Sequence, residues 1–128
     1  MLKEILAVDD EEDICRLLQF VLEREGYVVR TALSGVEALQ RVDEKLPDLI
    51  ICDIMMPHMD GEELLRRLKT RSDTQNIPVV MLTARTGDQV VEEVWNLGAE
   101  LYLSKPFSPL ELLSFVKRIL SASESSGS

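Results

Sequence analysis

The chain has 128 residues, of which 45% are hydrophobic, and a formal net charge of −9 from 14 basic and 23 acidic residues. This length suits one domain, predicted over residues 1–120, and the acidic balance argues against direct nucleic-acid binding by this segment. No apolar run approaches the roughly 20 residues that span a bilayer, and the first residues lack a signal-peptide pattern. We therefore expect a cytoplasmic protein without membrane contact.

Short apolar runs alternate with amphipathic segments along the chain. The runs predict strands, and the amphipathic segments, with capping residues such as Ser34, Asp60, Asp88 and Ser108, predict helices. The predicted strands include residues 5–8, 27–31, 49–52, 78–82 and 101–103. The helical patterns include residues 14–22, 36–46, 64–68, 90–95 and 112–120. Residues 121–128 are rich in serine and lack periodicity, so we expect a disordered tail or the start of a linker.

Strict alternation of strands and helices predicts an α/β fold. Short connections between them favour a doubly wound, five-stranded parallel sheet with helices on both faces and right-handed crossovers. Ligands of such folds bind beyond the carboxyl ends of the strands. The residues that directly follow the strands are therefore the candidates for a functional site.

Residues with charged or hydroxyl side chains follow four of the predicted strands. Asp9 and Asp10 follow the first strand, Asp53 the third, Thr83 the fourth and Lys105 the fifth. An acid after a strand is commonly only a helix cap, and a threonine only a turn residue. The gathering of all five at one edge of the sheet favours a common site.

The chemistry of this group follows from its charge. Three neighbouring carboxylates repel one another and have raised pKa values unless cations lie among them. Lys105 supplies one positive charge. Mg²⁺, which prefers oxygen ligands, would neutralise the remaining negative charge, with Asp9 or Asp10 and Asp53 as its ligands. Asp53 would then act as a nucleophile toward phosphorus, while Lys105 and the Thr83 hydroxyl stabilise the phosphoryl oxygens.

The set Asp9-Asp10, Asp53, Thr83-Ala84 and Lys105-Pro106 closely resembles that of the receiver domain of bacterial two-component response regulators. The resemblance covers residues 3–120 and implies the flavodoxin-like strand order 2-1-3-4-5. It also implies a phosphohistidine donor, on a sensor histidine kinase or a phosphotransfer protein, and a requirement for Mg²⁺. It indicates a signalling domain rather than an enzyme, one that promotes its own phosphotransfer and slow autodephosphorylation.

The resemblance assigns further roles residue by residue. Met55 is matched to the position whose backbone carbonyl binds the metal. Thr83 is matched to the switch hydroxyl, and Tyr102 to the aromatic switch that turns inward when the domain is phosphorylated. Met55 and Arg85 occupy the variable positions beside the phosphoryl group, so we expect their long side chains to shield it and to give a persistent signal.

The resemblance places the output surface on the fourth predicted helix, which includes residues 90–95, on the fifth strand and on the fifth predicted helix, which includes residues 112–120. Leu101 and Phe115 stand where receivers of DNA-binding regulators carry charged residues for dimerisation. With Trp95, these residues are predicted to form an exposed apolar patch beside Tyr102, typical of an interface. The occupant would be a second copy of the chain or a downstream effector, and the alternative is that Trp95 and Phe115 belong to the core.

Three other functions are weighed against a receiver. A phosphohydrolase with an aspartyl nucleophile would need a second acid two residues on, where Met55 stands. A flavodoxin-like cofactor carrier would need a phosphate-binding first loop, but residues 9–13 are all acidic. A docking module that works without phosphorylation has no feature in its favour, because all five site residues are present.

The sulfur and imidazole groups suggest no separate site. Cys15 and Cys52 lie in apolar patterns and are predicted to be reduced core residues. His58 is the single histidine, so no histidine-based metal site or catalytic triad can form. The methionines near it lie beside hard acids, which argues against a soft-metal site.

Overall fold

The alternating apolar and amphipathic segments fold into five strands and four helices within the part of the chain that the computed structural model describes, residues 2–83 and 98–126. The helix predicted after Asp88, together with Trp95 and Arg85, lies outside the described residues. The elements are, in chain order, β1 (Glu4–Val8), α1 (Glu12–Glu23), β2 (Val28–Ala32), α2 (Gly35–Glu44), β3 (Leu49–Asp53), α3 (Gly61–Thr70), β4 (Val79–Thr83), β5 (Leu101–Ser104) and α4 (Pro109–Ser126).

The five strands form one parallel sheet in the order β2-β1-β3-β4-β5. Every residue of β1, β3 and β4 is buried, as expected for central strands that helices cover on both faces. This confirms the predicted flavodoxin-like fold. The register places Asp53, the last residue of β3, beside Leu82 of β4, and Thr83 beside Ser104 of β5.

The core consists of two apolar layers, one on each face of the sheet. Successive residues of a strand point to opposite faces, so Leu6 joins one layer and Ile5 the other. Helices α2 and α3 contribute Ala38, Val42, Leu64, Leu65 and Leu68 to the first layer. Helices α1 and α4 contribute Leu18, Leu22, Leu112, Val116 and Leu120 to the second.

Side-chain caps begin three of the helices where the sequence predicts them. The hydroxyl of Ser34 accepts a hydrogen bond from the Glu37 N–H at 3.1 Å, and that of Ser108 one from the Glu111 N–H at 3.3 Å. The Asp60 carboxylate likewise accepts from the Glu63 N–H at 2.9 Å. These bonds satisfy N–H groups that have no partner inside the helix and fix the start of each helix behind the carboxyl edge of the sheet.

The last helix is longer than predicted. Helix α4 continues to Ser126, so residues 121–126 are helical where the composition predicts a disordered tail. Adding residues to a helix that packing has already nucleated is easier than starting one, and residues 110–126 include neither glycine nor proline. No helix in the described ranges is both long and apolar enough to cross a membrane.

Candidate functional site

The parallel sheet brings the polar residues that follow its strands to one edge. Asp9 comes directly after β1, Asp53 and Thr83 end β3 and β4, and Lys105 follows β5. Asp9 and Thr83 are completely buried, and Asp53 is 3% exposed, whereas Asp10 is open to solvent. The edge therefore has two buried acids at its base and one exposed acid at its rim.

Lys105 joins the two buried carboxylates. Its ammonium donates a hydrogen bond to Asp9 Oδ2 at 2.8 Å and lies 3.5 Å from Asp53 Oδ2. Burial alone would lower the pKa of Lys105, but the hydrogen bond to Asp9 and the carboxylate of Asp53 raise it overall. The backbone N–H of Lys105 donates to Thr83 O at 2.7 Å, which fixes the start of this loop against β4. The Lys105–Pro106 peptide bond is cis.

Asp53 has an environment that disfavours its charge. Burial and the neighbouring Asp9 carboxylate raise the pKa of Asp53 from 3.8 to about 6, against the opposing effect of Lys105. The N–H of Met55 donates to Asp53 Oδ1 at 3.3 Å. One ammonium group therefore does not fully offset the repulsion between these acids, and a further cation would.

The acids offer a set of ligands for such a cation. Asp9, Asp10 and Asp53 each present one carboxylate oxygen, and these oxygens all lie within 4.8 Å of one another. An all-oxygen, strongly acidic set fits a hard divalent ion such as Mg²⁺. Both oxygens of Asp9 already accept hydrogen bonds, from the Glu11 N–H and from Lys105. Asp53 likewise accepts from the Met55 N–H at Oδ1 and has Lys105 Nζ 3.5 Å from Oδ2. Asp10, which is open to solvent, therefore has the most capacity left for a metal.

The two residues matched to a switch lie on adjacent strands. Thr83 is at the carboxyl end of β4, inside the site. Tyr102 is partly buried in β5, beside Met81 of β4, and packs against the layer under α2 and α3. Met55 follows Asp53 in the next loop with its side chain 46% exposed, and Arg85 is outside the described residues.

The predicted interface residues are less exposed than expected. Leu101 and Phe115 are both partly buried against the layer under α1 and α4, and the Arg118 guanidinium lies 5.7 Å from the centre of the Phe115 ring. Tyr102 packs against the opposite layer because neighbouring strand residues alternate between faces. Leu101 and Phe115 therefore do not form a freely exposed apolar patch beside Tyr102, and Trp95 is not among the described residues.

Two residues near the acids were missed by the sequence-based interpretation. The Glu11 N–H donates to Asp9 Oδ1 at 2.9 Å, and the Glu11 carboxylate lies 3.8 Å from Lys105 Nζ. The thiol of Cys15, which is free and buried as predicted, donates to Asp9 O at 3.4 Å. The spacing of Asp9 and Glu11 signals a local side-chain turn before a helix. No pattern distinguishes Cys15 from an ordinary apolar residue of α1.

Comparison with known proteins identifies the family. Residues 5–117 match the family model of the response regulator receiver domain. The chain is 48% identical over 126 residues to the alkaline phosphatase synthesis transcriptional regulatory protein PhoP of Bacillus subtilis (strain 168), covering 97% of this chain and 51% of that protein. It is 46% identical over 120 residues to the phosphate regulon transcriptional regulatory protein PhoB of Rhizobium meliloti (strain 1021), covering 94% and 53%.

The fold agrees with this assignment. A crystal structure of a CheY-like response regulator receiver domain protein from Methanospirillum hungatei JF-1 superposes with a TM-score of 0.92 at 32% identity, covering 98% of this chain and 99% of that one. The chain spans about half the length of the two transcriptional regulators. On the family match, the sequence identities and the shared fold, this chain belongs to the response regulator receiver domain family.

Proposed function

We propose that this chain accepts a phosphoryl group onto Asp53 from a phosphohistidine of a sensor kinase or phosphotransfer protein. The observation that carries the proposal is the position of a buried carboxylate, that of Asp53, among two further acids and 3.5 Å from the ammonium of Lys105. Membership of the receiver family supports it. A cytoplasmic location follows from a kinase donor of this type.

The transfer is a single displacement at phosphorus. A carboxylate oxygen of Asp53 forms a bond to phosphorus as the bond from phosphorus to the histidine nitrogen breaks. The electron pair of that bond goes to the imidazole, which takes up a proton from solvent. The product is an acyl phosphate on Asp53 and a neutral histidine on the donor.

The residues around Asp53 stabilise the charge that develops on the phosphoryl oxygens. Lys105 Nζ, already 3.5 Å from Asp53 Oδ2, donates to one of these oxygens. Thr83, buried at the end of β4, donates its hydroxyl to another. Asp10, Asp53 and the backbone carbonyl of Met55 would hold Mg²⁺, with Asp9 oriented by Glu11 and Lys105. When bound, Mg²⁺ would supply positive charge to the phosphoryl group.

The signal would leave the site through β4 and β5. Movement of Thr83 toward the phosphoryl group opens space beside β4, and Tyr102 turns inward from the adjacent strand. The face formed by the helix predicted after Asp88, β5 and α4 then changes its affinity for an output domain, a second copy of the chain or a separate effector. An output domain is one candidate because the two transcriptional regulators are about twice as long as this chain.

Intact-mass spectrometry tests the phosphoacceptor role. Wild-type protein incubated with acetyl phosphate and Mg²⁺ is expected to gain the mass of one phosphoryl group, and to gain none when EDTA replaces Mg²⁺. Asp53→Ala is expected to stay unmodified, and Asp13→Ala, at a side chain 95% exposed on α1, to behave like wild type. Equal labelling of wild type and Asp53→Ala would exclude Asp53 as the acceptor.

A further inference from the structure

The loop after Asp53 returns to the strand that carries it. Gly61 is the first residue of α3, directly after the cap Asp60, and its N–H donates to Ile54 O at 2.9 Å. Helix α3 therefore begins against the backbone of Asp53 and Ile54. The sequence suggests only a turn at Asp60-Gly61, and the structure adds this close contact.

Gly61 has no room for a side chain. A Cβ atom at this position would lie 2.3 Å from Asp53 O, 2.8 Å from Ile54 Cα and 2.9 Å from the end of the Met81 side chain. The methionine end can move aside, but the two backbone atoms cannot rotate away. The positive-φ glycines among the described residues are Gly26 and Gly98, so at Gly61 it is space, rather than backbone conformation, that requires glycine.

The backbone that Gly61 contacts is held from its other side. Asp53 pairs with Leu82 in the sheet, and the Ile54 N–H donates to Leu82 O at 2.8 Å. A residue larger than glycine would therefore push the Asp53 peptide against a fixed strand. The Asp53 side chain would shift with its own backbone, relative to Lys105 Nζ at 3.5 Å and to the oxygens of Asp9 and Asp10.

We propose that Gly61 is a positioning residue for phosphotransfer. Its missing side chain lets α3 begin directly against the Asp53 peptide, and this contact sets the Asp53 carboxylate against Lys105 and the metal-binding acids. The inference rests on the proposed function of Asp53. A misplacement of about 1 Å can lower a reaction rate roughly 100-fold, so Gly61→Ala is expected to lose most of its phosphorylation rate and its Mg²⁺ affinity.

Gly35 provides a matched control. It is the first residue of α2 and follows the cap Ser34, as Gly61 follows Asp60. The three atoms nearest to a Cβ at Gly35 would all be side-chain atoms of Met59, at 2.8 to 3.0 Å, whereas the two nearest at Gly61 are backbone atoms. A methionine side chain adapts easily, so Gly35→Ala makes the same chemical change at the same helical position without pressing on Asp53.

The experiment compares wild type, Gly61→Ala and Gly35→Ala in concentrated sucrose, which favours the folded state of each. Calorimetric titration gives the Mg²⁺ affinity, intact mass gives the rate of labelling by acetyl phosphate, and circular dichroism gives the folded fraction. Gly61→Ala is expected to fold, with Mg²⁺ affinity at least about tenfold weaker and labelling at least about tenfold slower. Gly35→Ala is expected to match wild type in both.

Each other outcome overturns the inference. Normal Mg²⁺ binding and labelling by folded Gly61→Ala would mean that the acceptor is placed without this contact. Equal losses in Gly35→Ala would mean that any added methyl group at a helix start has this effect. A Gly61→Ala chain that stays unfolded in sucrose would assign the residue to folding alone. Failure of wild type to label would instead contradict the proposed function of Asp53.

Discussion

At the scale of single residues, Asp53 combines a reactive position with an energetic cost. Its carboxylate is buried beside Asp9, and these two effects raise its pKa to about 6. Lys105 offsets part of this unfavourable energy through its contacts with both acids. In the metal-free protein, the charged form of Asp53 therefore destabilises the fold, which makes the site receptive to a cation.

The raised pKa of Asp53 predicts that, without metal, the stability contributed by this group falls as the pH rises. Between about pH 4 and 6 the folded chain holds a proton on Asp53 that the unfolded chain has lost, so the stability that this group contributes falls as the pH rises through that window. In EDTA near pH 7.5, the free energy of unfolding of Asp53→Asn is expected to be about 1–3 kcal/mol larger than that of wild type, so the variant is more stable. The difference should shrink toward about pH 4.

Urea unfolding across this pH range measures the effect. Asp13→Asn, which alters an acid whose side chain is 95% exposed, serves as the control and should follow wild type. A wild-type protein that is as stable as Asp53→Asn at alkaline pH in EDTA would contradict the raised pKa.

His58 has a backbone conformation that a non-glycine residue rarely adopts. Its φ is +68°, in the left-handed region that costs such residues about 1–2 kcal/mol. His58→Gly removes this cost but makes the unfolded chain more flexible, so we expect a net gain of about 0.5–1 kcal/mol in unfolding free energy. Urea midpoints measure it, with Asn76→Gly in an exposed turn as a control that should lose stability. A lower midpoint for His58→Gly would contradict the expectation.

The proximity of the candidate site residues was predictable because their chemistry and their positions after strands coincide. Asp9, Asp53, Thr83 and Lys105 were predicted to share a site because they are polar and follow strands, and the structure places them at one edge. The steric role of Gly61 depends on a contact between segments that the sequence pattern does not reveal. The same limit applies to the packing of Leu101 and Phe115, which depends on which face of β5 each residue occupies.

At the scale of elements, an ion-pair cluster joins β1, β2 and α2 at the amino end of the sheet. The Glu4 carboxylate is buried in β1 and pairs with Arg30 of β2 and, at 2.9 Å, with Lys45 after α2. Burial would raise the pKa of Glu4, but the hydrogen bonds and charges of Lys45 and Arg30 lower it overall. The cluster ties the edge strand to the centre of the fold.

Glu4→Gln is expected to lower the unfolding free energy at pH 7 by about 1–3 kcal/mol, because Arg30 and Lys45 then lose the negative charge that they share. Since the folded pKa of Glu4 is lowered from 4.5, its contribution is present at neutral pH and lost as the pH falls below that value. Urea unfolding at two pH values measures both effects. Glu44→Gln, in an exposed pair with Arg41, should cost less than about 1 kcal/mol, and an equal cost for both variants would contradict the prediction.

Element boundaries were predictable where capping residues mark them. Ser34, Asp60 and Ser108 cap helices as the sequence indicates. The end of α4 was not predictable in this way, because residues 121–126 carry no periodicity and are helical only as a continuation of the packed turns before them.

At the scale of the whole molecule, alternation along the chain predicts a parallel doubly wound sheet, and the structure confirms it. The strand order needed the family resemblance, because alternation alone allows several orders. One consequence of the order is that β1, β3 and β4 lie together at the centre, so that Asp9, Asp53 and Thr83 meet at one site.

The acidic edge predicts that Mg²⁺ stabilises the entire domain. A ligand at 100 times its dissociation constant adds about 2.7 kcal/mol to the unfolding free energy, so saturating Mg²⁺ is expected to raise the melting temperature by several degrees. Asp10→Asn should lose most of this shift, and Asp13→Asn should keep it. Differential scanning calorimetry measures the shift, and an equal rise in both variants would indicate binding elsewhere.

The most direct test of the central claim is to locate the modified residue. Borohydride reduces an acyl phosphate to an alcohol, so an aspartate that carried the phosphoryl group becomes homoserine, which peptide mass spectrometry can assign. After treatment with acetyl phosphate and Mg²⁺, homoserine is expected at position 53 in wild type. Homoserine at position 9 or 10 instead, or at no position, would contradict the assignment of Asp53 as the phosphoacceptor.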